Sequence, residues 1–244
     1  MSKIGSVLFS IWFYAVTLSL SVLGQFAVMV APLSLPAFAR FWSRAVLFAL
    51  PVCGVRYEVT GREHLTQDRA MLIASMHQSA FDTLLWFDLV TRCRYVVKME
   101  LIKLPLFGRL ARFSGQIGVD RNAGAAAMRT LLRDGGAALA EGNHLVIFPE
   151  GTRVETGGVG TLQPGIAALA RKANIAVIPV VTDSGWCWRK GAFGKRPGTI
   201  HVVIHPPIEP GLSREALMER LQSIYETGLA DLRTTHRAVD NSVH

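Results

Sequence analysis

The fold is set by residues 71–82, which read MLIASMHQSAFD. The first five residues are a short apolar run typical of a buried strand, and a helical pattern follows over 81–91. Comparable strand-like runs recur along the chain at 57–60, 94–98, 144–148, 175–181 and 199–205, and further helical stretches cover 123–141 and 165–173. Strands separated by helices predict βαβ crossovers. We therefore predict an α/β fold, with a mixed, largely parallel sheet that carries helices on both faces.

The first 52 residues hold the apolar excess of the chain. Half of the 244 residues are hydrophobic, yet no charged side chain occurs between Lys3 and Arg40. A helix over 4–31 would be about 42 Å long, which is enough to cross a hydrocarbon core. The apolar stretch 41–52 is too short to span alone. We predict that 1–52 is an N-terminal hydrophobic helical membrane anchor, either a span with an interfacial helix or a hairpin in one leaflet.

A cleaved signal peptide is the alternative for this segment. The apolar run is longer than an ordinary signal-peptide core, and no small-residue cleavage site precedes a polar mature start. Retention in the membrane is therefore preferred. The net charge of +8 arises almost wholly after the anchor. That asymmetry predicts an inner-membrane protein whose folded body faces the cytoplasm.

The basic charge and the cysteine pattern indicate which ligand classes the chain binds. We find no lysine-rich tract and no nucleic-acid module, so we predict no nucleic-acid partner and attribute the charge to anionic lipid or phosphorylated substrates. Cys53, Cys93 and Cys187 are scattered and form no CxxC pair. This pattern favours reduced packing residues and predicts no metal site.

The remainder of the chain is divided into a folded domain over 53–233 and a flexible tail over 234–244. A last amphipathic helix begins after Ser213. We expect its buried stripe to contain Leu217, Leu221, Ile224 and Leu232.

His77 and Asp82 form an H-x4-D pair at the end of the first long strand. On a regular helix two positions five apart do not face each other. They meet if His77 precedes the helix, with Ser79 as its N-cap and Asp82 in its first turn. The carboxylate then holds one imidazole nitrogen while the other faces a substrate hydroxyl, which is the layout of a general base. Alternatively, Ser79 and Asp82 only cap the helix.

A second polar cluster, FPEGTR at 148–153, directly follows the strand-like run 144–148. Gly151 allows backbone amides to approach a ligand, and Arg153 offers a bidentate fork to phosphate oxygens. The alternative is a solvated turn in which Glu150 and Arg153 pair.

Together these motifs resemble the lysophosphatidic acid acyltransferase family of glycerolipid synthesis. Between them, GQIGVDR at 115–121 is similar to the family's G-x-I-x-x-x-R block, and VIPV at 177–180 to its apolar-proline block. The resemblance covers about residues 72–207. Two departures are Met76, where the family often has asparagine, and LQPG at 162–165, which replaces a more usual Phe-Lys-x-Gly.

The resemblance implies roles for eight residues. His77 is similar to the catalytic base and Asp82 to the acid that orients it, and no metal is implied. The implied phosphate-binding set is Lys98, Arg121 and Arg153, and the residues that shape the acceptor site are Glu150, Gly151 and Thr152. Residues 53–233 are then the acyltransferase domain.

The implied reaction moves a fatty acyl group to the free sn-2 hydroxyl of 1-acyl-glycerol-3-phosphate, giving phosphatidic acid. The acyl donor, either acyl-CoA or acyl-carrier protein, is a co-substrate, and no cofactor is implied. The implied partners are membrane lipid, lysophosphatidic acid and this acyl donor. One alternative is another acceptor such as lyso-ornithine lipid. A membrane-bound lipid hydrolase is less favoured because the chain has no G-x-S-x-G elbow. A non-enzymatic lipid-binding scaffold is the third alternative.

Residues 184–196 interleave aromatic and basic side chains. This composition suits a second membrane contact, and an acidic acyl carrier protein is the alternative partner. A third interpretation is that Trp186 and Trp188 pack beneath a loop.

Overall fold

The computed structural model describes residues 2–31 and 34–242, with side chains over 3–31 and 34–234. The helices are α1 (Ser2–Val30), α2 (Leu35–Phe48), α3 (Phe81–Leu89), α4 (Met99–Ile102), α5 (Phe107–Phe113), α6 (Ala125–Thr130), α7 (Gly136–Ala140), α8 (Gly165–Ala173) and α9 (Arg214–Ser242). The strands are β1 (Val55–Thr60), β2 (Leu72–Ser75), β3 (Cys93–Lys98), β4 (Ile117–Val119), β5 (His144–Ile147), β6 (Val177–Thr182) and β7 (Gly198–Ile204).

The strands form one seven-stranded sheet in the order β1-β7-β6-β2-β5-β3-β4. Strands β6, β2, β5, β3 and β4 are parallel to one another, with Leu72 of β2 aligned to Leu145 of β5 and Val177 of β6. β7 is antiparallel to β6 and parallel to β1. The sheet is therefore mixed and largely parallel, which confirms the predicted fold class.

Alternate residues of the central strands contribute side chains to two hydrophobic cores, one on each face of the sheet. Ile73 packs on one face with α2, α3 and the beginning of α1, whereas Leu72 and Ala74 pack on the other with α8 and α9. All four residues of β2 are buried. A strand covered on both faces reads as a continuous apolar run, which is why 71–75 showed no alternation.

Helix α1 contains the one described stretch, Lys3–Val30, that is long and apolar enough to cross a membrane, and only 17% of its most apolar window is buried. It nevertheless packs along the α/β body. Ser6 exchanges hydrogen bonds with the backbone of Lys195, and Gln25 Nε2 donates to the carbonyl of Leu106 at 3.1 Å. These two contacts are about 28 Å apart along the helix.

Three elements were not predicted from the sequence: β4, α4 and α5. The helical stretch 123–141 consists of α6 and α7 joined by a π-helical segment, Leu131–Gly135. In α9, Leu217, Leu221 and Leu232 are buried as predicted and Ile224 is half-buried. The sequence analysis missed Tyr225 and Leu229, which complete the stripe. Helix α9 continues to Ser242, and the last two residues of the predicted tail lie outside the described residues.

Candidate active site

The sequence-predicted site residues follow strands that all point the same way. His77 follows β2, Glu150 follows β5, Lys98 ends β3, and Arg121 lies two residues after β4. These four strands are parallel, so their carboxyl ends meet at one edge of the sheet. This edge is where open α/β sheets bind ligands.

The imidazole of His77 contacts the carboxylate of Asp82. Nδ1 lies 3.2 Å from Asp82 Oδ2, and the same oxygen accepts the backbone N–H groups of Gln78 at 2.7 Å and Ser79 at 2.8 Å. Asp82 is only 2% exposed. Because an ionised carboxylate only accepts hydrogen bonds, this contact places the ring proton on Nδ1 and leaves Nε2 as the acceptor.

The Ser79 and Asp82 side chains cap helix α3. The helix is assigned from Phe81, but Ala80 before it already has helical dihedrals, with φ −70° and ψ −23°. The Ser79 hydroxyl accepts the N–H of Phe81 at 3.1 Å, and the Asp82 carboxylate reaches back to the N–H of Ser79. These two contacts are those of a capping box with Ser79 as the N-cap and Asp82 as the third helical residue, which is the arrangement predicted from the sequence.

Two aromatic rings fix the plane of the imidazole. Phe148 stacks on His77 with ring centroids 4.0 Å apart and an interplanar angle of 17°. Tyr95 stacks in turn on Phe148 at 5.9 Å. Stacking limits rotation of the ring, so Nε2 keeps its direction at the carboxyl edge.

Glu150 holds the backbone of the histidine. Its Oε2 accepts the N–H of His77 at 2.7 Å, and the side chain is buried. Burial raises the pKa of Glu150 to about 8, and the charge of Asp82 adds to the rise, whereas backbone hydrogen bonds from His77 and Gly160 oppose it. A role in shaping the acceptor site was predicted for Glu150; its observed contact is with the chain that carries the histidine.

The rest of the FPEGTR motif lies beside the histidine. Gly151 has a left-handed φ of 71°, which favours glycine, and Thr152 is exposed. The N–H of Val154 donates to the carbonyl of His77 at 2.8 Å. Arg153 is therefore the immediate neighbour of a residue that is hydrogen-bonded to the His77 backbone. Arg153 is half-buried, and the ion pairs found among the described residues do not include it.

The other two cations of the predicted phosphate set lie together, at the ends of β3 and β4. Lys98 is the register partner of Val119, two residues before Arg121. Its ammonium pairs with Glu100 at 3.0 Å, and the charge of Glu100 also acts on Arg121. Glu100 therefore offsets part of this positive charge, a feature that the sequence analysis did not anticipate.

A loop after β6 completes the site. The N–H of Gly185 donates to the side-chain oxygen of buried Gln78 at 3.2 Å, and Thr156 donates to the carbonyl of Gly185 at 2.9 Å. Sequence reasoning missed Gln78 because an amide next to the histidine carries no signal of its burial. Of the two tryptophans that one alternative placed beneath a loop, Trp188 is buried against Phe9 of α1, whereas Trp186 is 38% exposed. Membrane or carrier contact by this loop stays a prediction.

A second histidine–carboxylate pair also escaped the sequence analysis. Asp183 Oδ2 lies 2.8 Å from His201 Nδ1, and its Oδ1 accepts the N–H of His201 at 2.7 Å. The pair joins β6 to β7. The two residues are 18 positions apart and meet only because β6 and β7 pair antiparallel, and that pairing was not predicted.

An apolar cavity of about 280 Å³ lies between α1, α2, α5 and the sheet. Tyr95 lines it and also stacks on Phe148, so two rings separate the cavity from the imidazole. Its other walls include Leu20, Phe38, Trp42 and Phe107. The described residues contain no group of three or more His, Cys, Asp or Glu side chains arranged to hold a metal ion.

Residues 56–183 match the family model described as Acyltransferase, and the chain belongs to this family of enzymes. A 1-acyl-sn-glycerol-3-phosphate acyltransferase of Pseudomonas aeruginosa is 33% identical over 213 residues, covering 84% of this chain and 82% of that protein. A protein of the same name from Limnanthes alba is 34% identical over 159 residues, but the match covers 64% of this chain and only 55% of the plant protein. These relatives confirm the resemblance read from the motifs.

The fold has a solved counterpart. The crystal structure of the 1-acyl-sn-glycerophosphate acyltransferase PlsC of Thermotoga maritima superposes with a TM-score of 0.79 at 24% identity. The match covers 96% of this chain and 98% of that one. It therefore includes the N-terminal helices as well as the α/β body.

Proposed function

We propose that the protein transfers a fatty acyl group from a thioester donor, acyl-CoA or acyl-carrier protein, to the free sn-2 hydroxyl of 1-acyl-glycerol-3-phosphate. The observation that carries this proposal is the His77–Asp82 pair at the carboxyl edge, with Nε2 left as an acceptor. The names of the relatives supply the acceptor class. The product of this reaction is phosphatidic acid.

His77 acts as the general base. Its Nε2 removes the proton of the acceptor hydroxyl as that oxygen attacks the thioester carbonyl carbon. Asp82 stabilises the imidazolium that forms. The tetrahedral intermediate then collapses, the C–S bond breaks, and the imidazolium returns its proton to the leaving thiolate. General-base catalysis of this kind contributes about 10²- to 10⁴-fold, so positioning of the acceptor must contribute much of the remainder.

The acceptor phosphate is bound by Arg153, with Lys98 and Arg121 on the β3–β4 side. Arg153 is the strongest candidate because its neighbour Val154 is hydrogen-bonded to the His77 backbone and because Glu100 engages the other two cations. A guanidinium can also bind two phosphate oxygens at once. Glu150, Gly151 and Thr152 form the turn that presents it.

The acyl chain is accommodated by the apolar cavity. Its lining is almost entirely hydrocarbon and aromatic, and it lies behind the Tyr95–Phe148–His77 stack. Since α1 and α5 form two of its walls, the chain would enter from the side on which the apolar anchor lies.

The anchor lies along the membrane surface, with the body on the cytoplasmic side. Helix α1 contacts the body both at Ser6 and at Gln25. If α1 crossed the bilayer, the part of the α/β body that it contacts would have to lie within the hydrocarbon core. One stripe of α1, including Leu8, Leu18 and Phe26, is exposed and can lie within a single leaflet.

The test is an assay of the purified enzyme with a labelled acyl donor and a panel of lysolipids. We expect transfer to lysophosphatidic acid, and we expect His77→Ala to lower kcat by at least about 100-fold while His64→Ala, outside the site, leaves it unchanged. Near-normal turnover of the His77→Ala enzyme would contradict the assignment. Preferential transfer to lyso-ornithine lipid, or release of fatty acid without an acceptor, would support one of the alternatives.

A second variant tests the phosphate site. Arg153→Ala should raise the KM for lysophosphatidic acid more than it lowers kcat, whereas Arg171→Ala on α8 should change neither. An equal effect of Arg153→Ala on an acceptor without phosphate would show that the guanidinium does not bind that group.

A further inference from the structure

Five large apolar side chains are exposed together on the segment that joins β3 to β4. They are Leu101, Leu104, Leu106, Phe107 and Phe113, and each is 41–55% exposed. We call residues 101–113 the α4–α5 turn. Single exposed apolar residues are common on protein surfaces, but a contiguous group of this size marks an interaction surface.

The backbone holds this turn in a strained conformation. Leu106 has φ 61° and ψ −65°, and the N–H of Phe107 donates to the carbonyl of Pro105 at 2.7 Å. This geometry is a γ-turn of the rare, strained form, and it places a leucine where glycine is favoured. In addition, a Cβ on Gly108 would lie 2.0 Å from the carbonyl oxygen of Ile102, so α4 and α5 are in close backbone contact. The exposed leucines are therefore fixed in place.

The α4–α5 turn is continuous with the apolar anchor. Gly24 of α1 packs directly against Leu110, and the adjacent Gln25 donates to the carbonyl of Leu106. Exposed side chains of α1 lie next to these contact positions, namely Val22, Leu23, Phe26 and Met29. The apolar surface of the anchor thus extends onto the α/β body at this point.

The charge of the turn matches an anionic surface. It carries Lys103, Arg109 and Arg112, and no aspartate or glutamate occurs from Leu101 to Gln116. The guanidinium of Arg109 lies 5.9 Å from the ring centroid of Phe113. Basic residues interleaved with exposed aromatic and aliphatic side chains are typical of the boundary between lipid headgroups and acyl chains.

We propose that the α4–α5 turn is a second bilayer contact, which inserts its leucines and phenylalanines below the headgroups of a leaflet containing anionic phospholipid. Together with α1 it fixes the tilt of the body on the membrane. Lys98 immediately precedes α4, so the cations at the ends of β3 and β4 are held near the level of the headgroups. This proposal does not depend on the reaction catalysed.

The direct test is a depth measurement on the full chain in vesicles that contain phosphatidylglycerol. A nitroxide at Leu104→Cys should be accessible to oxygen and protected from a water-soluble nickel complex, whereas a nitroxide at Leu212→Cys should behave as in water. Leu212 is the matched control because it is 40% exposed and lies four residues after Ile208, which pairs with Val177 at the amino end of β6, away from the carboxyl end of β3 that α4 follows. The native cysteines are all buried, and the unmutated chain serves as the labelling blank. A water-like signal at position 104 would overturn the proposal.

The energetic test uses the variant Leu104→Ser/Leu106→Gly. Glycine suits the positive φ at 106, so this variant removes apolar surface without adding backbone strain. We expect about tenfold weaker partition into anionic vesicles and unchanged activity in detergent micelles, with Leu212→Ser unchanged in both. Equal vesicle partition of the variant and the parent would contradict the proposal, whatever the enzyme's substrate proves to be.

Discussion

Glu150→Gln isolates the effect of a buried carboxyl group on stability. Burial raises the pKa of Glu150 to about 8 in the folded protein, compared with the ordinary 4.5. The folded state therefore prefers the neutral acid. The stability that the neutral carboxyl group of Glu150 contributes is fully present below about pH 4.5 and is lost as the pH rises towards 8. A pKa difference of about 3.5 corresponds to a loss of about 5 kcal/mol in the free energy of unfolding, at 1.36 kcal/mol per pKa unit.

The glutamine variant cannot ionise, but its amide oxygen can still accept the N–H of His77. We therefore expect the free energy of unfolding of Glu150→Gln to vary less with pH than that of the parent, with the difference growing between pH 5 and pH 8.5. Urea titrations in non-ionic detergent, followed by fluorescence of the buried Trp86 and Trp188, measure this quantity.

Comparison of the two proteins at each pH cancels the titration of groups that do not interact with Glu150, including His144 and His205, whose pKa values are lowered by burial. Glu155→Gln, an exposed glutamate of the same loop, is the matched control. Parallel pH profiles for Glu150→Gln and the parent would refute the reasoning, because they would show that the carboxyl group titrates as it does in water.

Three further substitutions test single contacts. Asp82→Asn should lower kcat by about 100-fold or more with little change in the KM of the acceptor, since the amide cannot stabilise the imidazolium; a kcat near that of the parent would remove Asp82 from the mechanism. Gly108→Ala should cost about 1–3 kcal/mol of stability in a urea titration because the new Cβ meets the carbonyl of Ile102; an unchanged midpoint would show that α4 and α5 are not in contact. Tyr225→Phe should leave stability unchanged or raise it by up to about 1 kcal/mol, because the buried hydroxyl has no partner among the described residues; a clear loss would reveal a hydrogen bond, with nearby Glu150 as the first candidate.

The central part of the sheet was predictable from the sequence because its strands are buried on both faces. Runs such as 71–74 and 145–148 are apolar throughout, and helices separate them. The reversed direction of β7 was not predicted, although the sequence held a signal for it. Residues 183–197 show no helical pattern, and a strand that follows without a crossover helix pairs antiparallel. β4 was missed because three residues are too few for a period to show.

The prediction for the site was correct in its local geometry and incomplete in its surroundings. His77 does precede the helix, and Asp82 does lie in its first turn, as steric reasoning about five-residue spacing required. The partners that hold this pair come from elsewhere in the chain. Glu150 is 73 residues away from His77, and the Gln78–Gly185 hydrogen bond spans 107 residues. Contacts of that range depend on strand order, which local patterns do not determine.

The union of anchor and body has a practical consequence for handling the enzyme. Phe9, Leu47 and Leu50 belong to the same apolar cluster as Trp86 and Ile200, so the N-terminal helices supply part of the interior. A water-soluble form made by deleting the first fifty residues would expose that interior along with the tryptophan beneath Phe9. Purification of the full-length chain in detergent or lipid nanodiscs is therefore preferable. Removal of the N-terminal apolar helices should yield aggregated protein.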